Sequence, residues 1–125
     1  MTTAAPSGAK ILVNAIVHGL QEVKGRDITI LDLRDISHAI SSYFIVANGT
    51  SRTQVTALAE GVEHATKEIL KEGAWRKEGL RNGEWAILDY GDVVVHVFHE
   101  EARSMYDLEG LWGDAKMESI KEVAS

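Results

Sequence analysis

The sequence predicts an α+β domain in which a β-sheet is flanked by helices, and three observations carry that prediction. Two segments repeat apolar residues every three or four positions, the spacing of one helix face. Several runs of strand length are rich in β-branched and aromatic residues. Within Glu84 to His99 (EWAILDYGDVVVHVFH), two such runs stand either side of Gly91-Asp92, a pair suited to a two-residue type II′ hairpin.

In chain order, residues 1–8 (MTTAAPSG) read as a flexible lead-in, 9–113 as a single domain, and 114–125 as a polar tail, frayed from Gly113 onward. The first helix spans about Ala9 to Val23, with Leu12, Ala15, Ile16, Leu20 and Val23 on its stripe and Gly25 as its C-cap. Asp27 to Leu33 and Ser42 to Asn48 follow as strands across a polar loop. A second helix opens at Ser51, where Ser51-Arg52-Thr53-Gln54 fits a reciprocal capping box. Its stripe is Val55, Leu58, Ala59, Val62, Ala65 and Ile69, and Lys71-Glu72-Gly73 closes it. Trp75 to Leu80 is a weak strand candidate before the Arg81-Asn82-Gly83 turn. After the hairpin, Glu100 and Glu101 favour a helix start, and Leu108 to Trp112 continues the apolar surface.

The hairpin register separates two faces. Tyr90 stands opposite Val93, Leu88 opposite Val95 and Ala86 opposite Val97 on a nearly aliphatic face that reads as core. Asp89 opposite Val94, Ile87 opposite His96 and Trp85 opposite Phe98 form a mixed face, natural for a contact surface.

Composition narrows the function. The 125 residues (13.7 kDa) suit one domain of 45% apolar and 26% charged residues. There is no Cys, which removes disulfides and thiolate nucleophiles and fits a reducing compartment. Ile11 to Val17 is too short for a membrane span, and no export signal is visible, so the cytoplasm is the expected location. Thirteen basic against nineteen acidic residues give a net charge of −6, which disfavours direct wrapping of nucleic acid. The acidity is concentrated from Glu84 onward, where ten acidic residues face three basic ones (10 − 3 = 7 net negative). Such a surface favours a basic partner. Trp85, Tyr90, Phe98, Tyr106 and Trp112 fall in the same third, so aromatics amid acids read as a docking patch. Taken singly, Phe98 reads as core and Trp112 as partner surface. A homodimer that buries this patch is a second occupant compatible with the same composition.

Catalytic and ligand readings find little support. His96 and His99, three apart on a strand, point to opposite faces and cannot share a metal ion without a break in the strand. His18, His38 and His64 read as isolated surface or satisfied positions. Gly49-Thr50-Ser51 could cradle a phosphate at a helix N-terminus, but Ser51 is already needed as the cap. Nucleotidyl transfer would need carboxylates converging on metal ions; Asp89 and Asp92 are three apart across the turn, and Asp107-x-Glu109 would splay on a helix. No cofactor and no metal are expected.

From Glu84 to Ala115 the sequence resembles the ribosomal silencing factor family, also called the Iojap family. The resemblance rests on Trp85, then Leu88-Asp89-Tyr90-Gly91-Asp92-Val93-Val94-Val95-His96-Val97-Phe98, then Arg103, Tyr106, Leu108-Glu109 and Leu111-Trp112, in order and spacing. Upstream it extends to about Ile11, with Ser42 where the family usually has Asp. It implies a mixed β-sheet flanked by helices, nucleotidyltransferase-like in shape without the catalytic carboxylates, and a protein that is not an enzyme. It further implies binding to the large ribosomal subunit through the large-subunit protein numbered fourteen, steric blockage of subunit association, and repression of translation when nutrients are scarce. The candidate partner surface is then Trp85, Asp89, Tyr90, Asp92, His96, Tyr106, Glu109, Leu111 and Trp112. Tyr90 has two readings: its register places the ring in the core, while its place at the hairpin tip could leave the hydroxyl at the partner. The competing reading is a nucleotide-binding or nucleotidyl-transfer enzyme that uses Gly49 to Ser51 and the Asp89/Asp92 pair.

Overall fold

A computed structural model of the chain describes residues 8–121. The elements in order are α1 (Gly8–Glu22), β1 (Arg26–Asp32), β2 (Tyr43–Gly49), α2 (Arg52–Leu70), β3 (Arg76–Glu78), β4 (Trp85–Asp89), β5 (Val93–His99), α3 (Glu100–Tyr106), α4 (Leu108–Leu111) and β6 (Lys116–Ser119). The strands form one sheet in the order β3-β4-β5-β2-β1-β6. Only β2 and β5 run parallel, so the sheet is mixed and the fold is α+β as expected. Among the described residues no helix is long and apolar enough to cross a membrane.

Period-two alternation divides the strands between two layers. On the first face, Ile28, Ile30, Tyr43, Ile45, Ala47, Ala86, Leu88, Val93, Val95 and Val97 pack beneath the stripes of α1 and α2. The helices cross closely because Gly19 and Gly61 meet: a Cβ on Gly19 would lie 2.8 Å from the Gly61 carbonyl oxygen, and one on Gly61 would lie 2.6 Å from Val23 Cγ2. The second face carries a smaller core of Leu31, Leu33, Val46 and Phe98, closed by Ala102 of α3 and Leu108 of α4.

The hairpin pairs as its sequence requires, Trp85 with Phe98, Ala86 with Val97, Ile87 with His96, Leu88 with Val95 and Asp89 with Val94. The weak strand candidate contains β3, paired with β4. Several local expectations need correction. Both α1 and α2 end on a left-handed lysine, Lys24 (φ 61) and Lys71 (φ 59), rather than on glycine. Gly25 instead serves close packing, since a Cβ there would stand 3.1 Å from Leu58 Cδ2. Only half of the capping box forms: Ser51 Oγ accepts from the Gln54 N–H, but the Gln54 side chain turns to Thr50. Ile69 is half-exposed, because the stripe has rotated off the sheet by the last turn.

The largest departure is at the C-terminal end. Lys116–Ser119 is not a frayed tail but β6, antiparallel to β1, with Thr29 opposite Ser119 and Asp32 opposite Lys116. Of the lead-in, residues 1–7 lie outside the described residues, while Gly8 is helical; residues 122–125 of the tail lie outside them too.

Leu58 is fully buried between α2 and the first face. Leu58→Ala is expected to lower unfolding free energy by about 2 to 5 kcal/mol, measured by urea denaturation. A loss below about half a kcal/mol would show that this layer does not carry the core.

Candidate functional site

The second face of the hairpin and the helices after it gather most of the predicted aromatics into one row. Trp85 stacks on Phe98 (centroids 5.0 Å apart) and meets Tyr106 at 4.6 Å. Beside it, His96 tilts against Phe44 at 4.6 Å, and Phe44 meets Trp112 edge-on at 5.8 Å. His38, from the loop before β2, stacks on Trp112 at 5.4 Å and ends the row. Phe98 is buried at its base, Trp85, Phe44 and Trp112 are half-buried, and Tyr106 is 42% exposed. Ile87 and Val94 are half-buried between them, while Leu111, 74% exposed, stands on α4. Ring pairs at these offsets gain attraction beyond the burial of area. Partly exposed, they form an amphipathic surface of the kind partners use.

The chain positions this row by two devices. His99 accepts the Glu101 N–H at the start of α3, and the acidic first turn Glu100-Glu101 suits the helix N-terminus. Arg103 then ties α3 down. Its guanidinium donates to Asn48 Oδ1 (2.6 Å), Thr29 Oγ1 (3.1 Å), the Asp27 carbonyl oxygen and Glu109 Oε2 (2.8 Å). One side chain thus joins β1, β2, α3 and α4, using the planar fork that lysine lacks. Asp107, left-handed at φ 45, ends α3 and caps α4 by accepting the Gly110 N–H.

Several predicted partner residues have other duties. Tyr90 is buried on the first face, with its hydroxyl 2.9 Å from Thr66 Oγ1 on α2, so it belongs to the core and not to the docking patch. Burial pushes the Tyr90 phenol up from its ordinary value. Glu109 is engaged with Arg103 and holds α4 rather than facing outward as a free carboxylate. His96 lies on the second face but is only 6% exposed, beneath the row rather than at its surface. Its Nδ1 accepts the Trp85 Nε1–H at 3.1 Å, and its Nε2 has no partner. Asp89 is half-exposed beside Val94, its carboxylate accepting the Gly91 N–H at 2.8 Å. Asp92 is exposed at the tip, where its carbonyl oxygen accepts from the Ser42 and Tyr43 N–H groups.

Sequence reasoning missed Phe44, His38 and Arg103 as site residues. Phe44 was legible in principle, because Tyr43 and Phe44 must face opposite layers. His38 and Arg103 were not, since their partners come from distant parts of the chain.

The nucleotide reading loses its donors. At the start of α2 the Thr50 N–H and hydroxyl both give to Gln54 Oε1, at 2.7 and 3.0 Å, so a side chain already occupies the cradle. Asp107 and Glu109 are bound to Gly110 and Arg103 and do not converge. Among the described residues no group of three or more His, Asp or Glu is placed to hold a metal ion.

Residues 6–125 match the family described as "Ribosomal silencing factor during starvation". A relative named ribosomal silencing factor from Halalkalibacterium halodurans is 36% identical over 117 residues, 91% of this chain and 96% of the relative. Another of that name, from Chromobacterium violaceum, is 41% identical over 100 residues, 80% of each chain. A crystal structure of a Chromobacterium violaceum protein superposes with a TM-score of 0.80 at 34% identity, covering 95% of both chains.

Burial holds the His96 imidazole neutral, lowering its pKa from 6.5 to about 4. The unfolded chain therefore binds a proton that the native state refuses between these values. Stability from this group is full above pH 6.5 and is lost as pH falls to about 4, a change of roughly 3 kcal/mol. Urea midpoints measured from pH 7 to pH 4 should fall, and His96→Phe should remove one proton's worth of that slope. An unchanged slope in the variant would show that His96 does not titrate as a buried group.

Proposed function

The chain belongs to the ribosomal silencing factor family, and from that premise we propose that it binds the large ribosomal subunit through the large-subunit protein numbered fourteen. Seated there, it blocks association with the small subunit by occupying the joining surface, and so represses translation when nutrients are scarce. The site of action is the cytoplasm, with the ribosomes. Inhibition of this kind needs occupied space and no reaction, which agrees with a family of regulatory proteins.

The observation that carries the reading is the half-exposed aromatic row on the second face, with Leu111 of α4 exposed in the same C-terminal third. A protein partner with aliphatic and basic side chains suits it. The rings supply area at low entropic cost, and the ten acidic residues from Glu84 onward supply a field for cations. Because Arg103 and the caps hold α3 and α4 in place before any partner arrives, little ordering remains to oppose binding.

Trp85→Ala should weaken co-sedimentation with purified large subunits by about thirtyfold, equivalent to roughly 2 kcal/mol, and relieve the block on subunit joining in a purified translation system. Its melting temperature is measured in parallel, because Trp85 also supports Phe98 and His96. Leu111→Glu, on a side chain largely in solvent, is the second variant and should act on binding alone. If both variants remain folded and block joining at wild-type concentrations, the docking surface lies elsewhere. A rise in melting temperature with a nucleoside triphosphate and magnesium would favour the nucleotide reading instead.

Charge complementarity makes a separate prediction. The association rate with large subunits should fall as ionic strength rises from low to physiological salt, while dissociation changes little. Stopped-flow mixing checks this, and an association rate indifferent to salt removes electrostatic steering from the account.

A further inference from the structure

The loop between β1 and β2 buries its smaller apolar residue and exposes its larger one. Ile36 and Ala39 pack against the second core, while Ile40 is 98% exposed, the most exposed large apolar side chain among the described residues. A lone apolar side chain at a surface is ordinary, but this one is held in place. Two successive turns shape the loop, the Ile36 N–H donating to the Leu33 carbonyl oxygen at 3.0 Å and the Ala39 N–H to the Ile36 carbonyl oxygen at 3.1 Å. The Leu33 N–H donates to the Ser42 carbonyl oxygen at 2.8 Å and so joins the loop's two ends. On one side of Ile40, His38 stacks on Trp112; on the other, Ser41 Oγ donates to the Gly91 carbonyl oxygen at 3.0 Å. Ile40 thus stands between the end of the aromatic row and the hairpin tip. Its β-branch restricts the side chain to few rotamers, so little freedom remains to be lost on binding.

We propose that Ile40 is an anchor of the docking surface, a fixed knob that enters an aliphatic socket on the large-subunit protein, with basic side chains at the socket's rim. The assignment rests on the ribosomal reading and names what that partner must offer. An isoleucine gains the full worth of its apolar area only where a closed pocket takes it out of water.

Continuity, size and charge select that occupant. His38, two residues before Ile40, closes the aromatic row, so a partner seated on the row reaches the knob. A stable interface buries about 800 Å² on each partner. Trp85, Phe44 and Trp112 offer only half-buried rings, so a footprint of that size extends past the end of the row. Around the knob the chain is acidic: Asp92 is exposed and Asp89 half-exposed at the hairpin tip. The cations that flank the loop are already paired, Arg34 with Asp32 at 2.7 Å and Lys116 with Asp35 at 3.4 Å. An aliphatic knob with carboxylates beside it fits a socket edged by lysine or arginine.

Co-sedimentation of the full chain and three variants with purified large subunits tests this, with melting curves recorded in parallel. Ile40→Ala should weaken binding by about tenfold or more. Ile40→Asn, uncharged and polar, should weaken it at least as much. Ile40→Val keeps the β-branch and should lose no more than about fourfold, the worth of one methylene. All three should melt as the wild type does, because a side chain 98% in solvent has little to lose in the folded chain. Wild-type binding by Ile40→Asn overturns the proposal, and so does a loss in Ile40→Val as large as that in Ile40→Asn. A melting temperature that falls along with binding would make Ile40 a support of the loop and overturns it too. Variants that bind large subunits normally but no longer associate with one another would give the knob to a second copy instead. If the wild type itself fails to co-sediment, the ribosomal reading falls and takes this proposal with it; if Trp85→Ala weakens binding and Ile40→Asn does not, the proposal alone falls.

Discussion

At the hairpin tip Gly91 sits at φ +86, the Tyr90 N–H donates to the Val93 carbonyl oxygen, and the Asp89 carboxylate accepts the Gly91 N–H. These constraints hold β4 and β5 in one register, and that register decides which layer receives each side chain. A slip of β4 by one residue against β5 would drive Trp85 and Ile87 beneath the helices and turn Ala86 and Leu88 outward. Trp75 seals the turn from outside, its ring so close that a Cβ at Gly91 would lie 2.9 Å from it. The tip also supports β2, since the Asp92 carbonyl oxygen receives the N–H groups of Ser42 and Tyr43. The two-layer division and the aromatic row both follow from this turn.

The layers differ in how they are held. The first is close-packed aliphatic, with helix backbones in near contact at Gly19 and Gly61. The second is thin, and α3 and α4 are too short to be stable by themselves. Polar contacts make up the difference, above all Arg103, which reaches across to β1 and β2. A region built this way keeps hydrophobic surface at the boundary with water without losing its shape. That is the condition for a surface that is structured before it binds.

Most of this architecture was legible in the sequence where the determinants are local. Gly91-Asp92 between alternating runs specified the hairpin, and the three-four spacing of Leu58 and Val62 specified a buried helix face. What escaped depends on distant partners. Lys-Met-Glu-Ser carries no apolar alternation, so β6 becomes a strand only because β1 presents an edge to it. Tyr90 was ambiguous until Thr66, 24 residues earlier, supplied its hydroxyl with a partner. Glu109 looked like a free acid because Arg103 also had to gather Asn48 and Thr29 before their pairing could be seen. The hairpin register placed Trp85, Asp89 and His96 together on one face of the sheet, and the strand pairing has them so. Which residues stand at its surface and which lie beneath it was a matter of packing.

The distribution of tryptophans has an optical consequence. Two of the three indoles, Trp85 and Trp112, lie in the aromatic row, half in water; Trp75 stands at the other side of the hairpin tip, 79% exposed. Withdrawal of water from the row would shift the emission of two indoles to shorter wavelengths while the third remains a constant red-edge background. Trp85 also donates its Nε1–H to a neutral imidazole, a neighbour that would change its quenching if that contact opened. The protein thus carries an unlabelled spectroscopic reporter of the state of its own aromatic face.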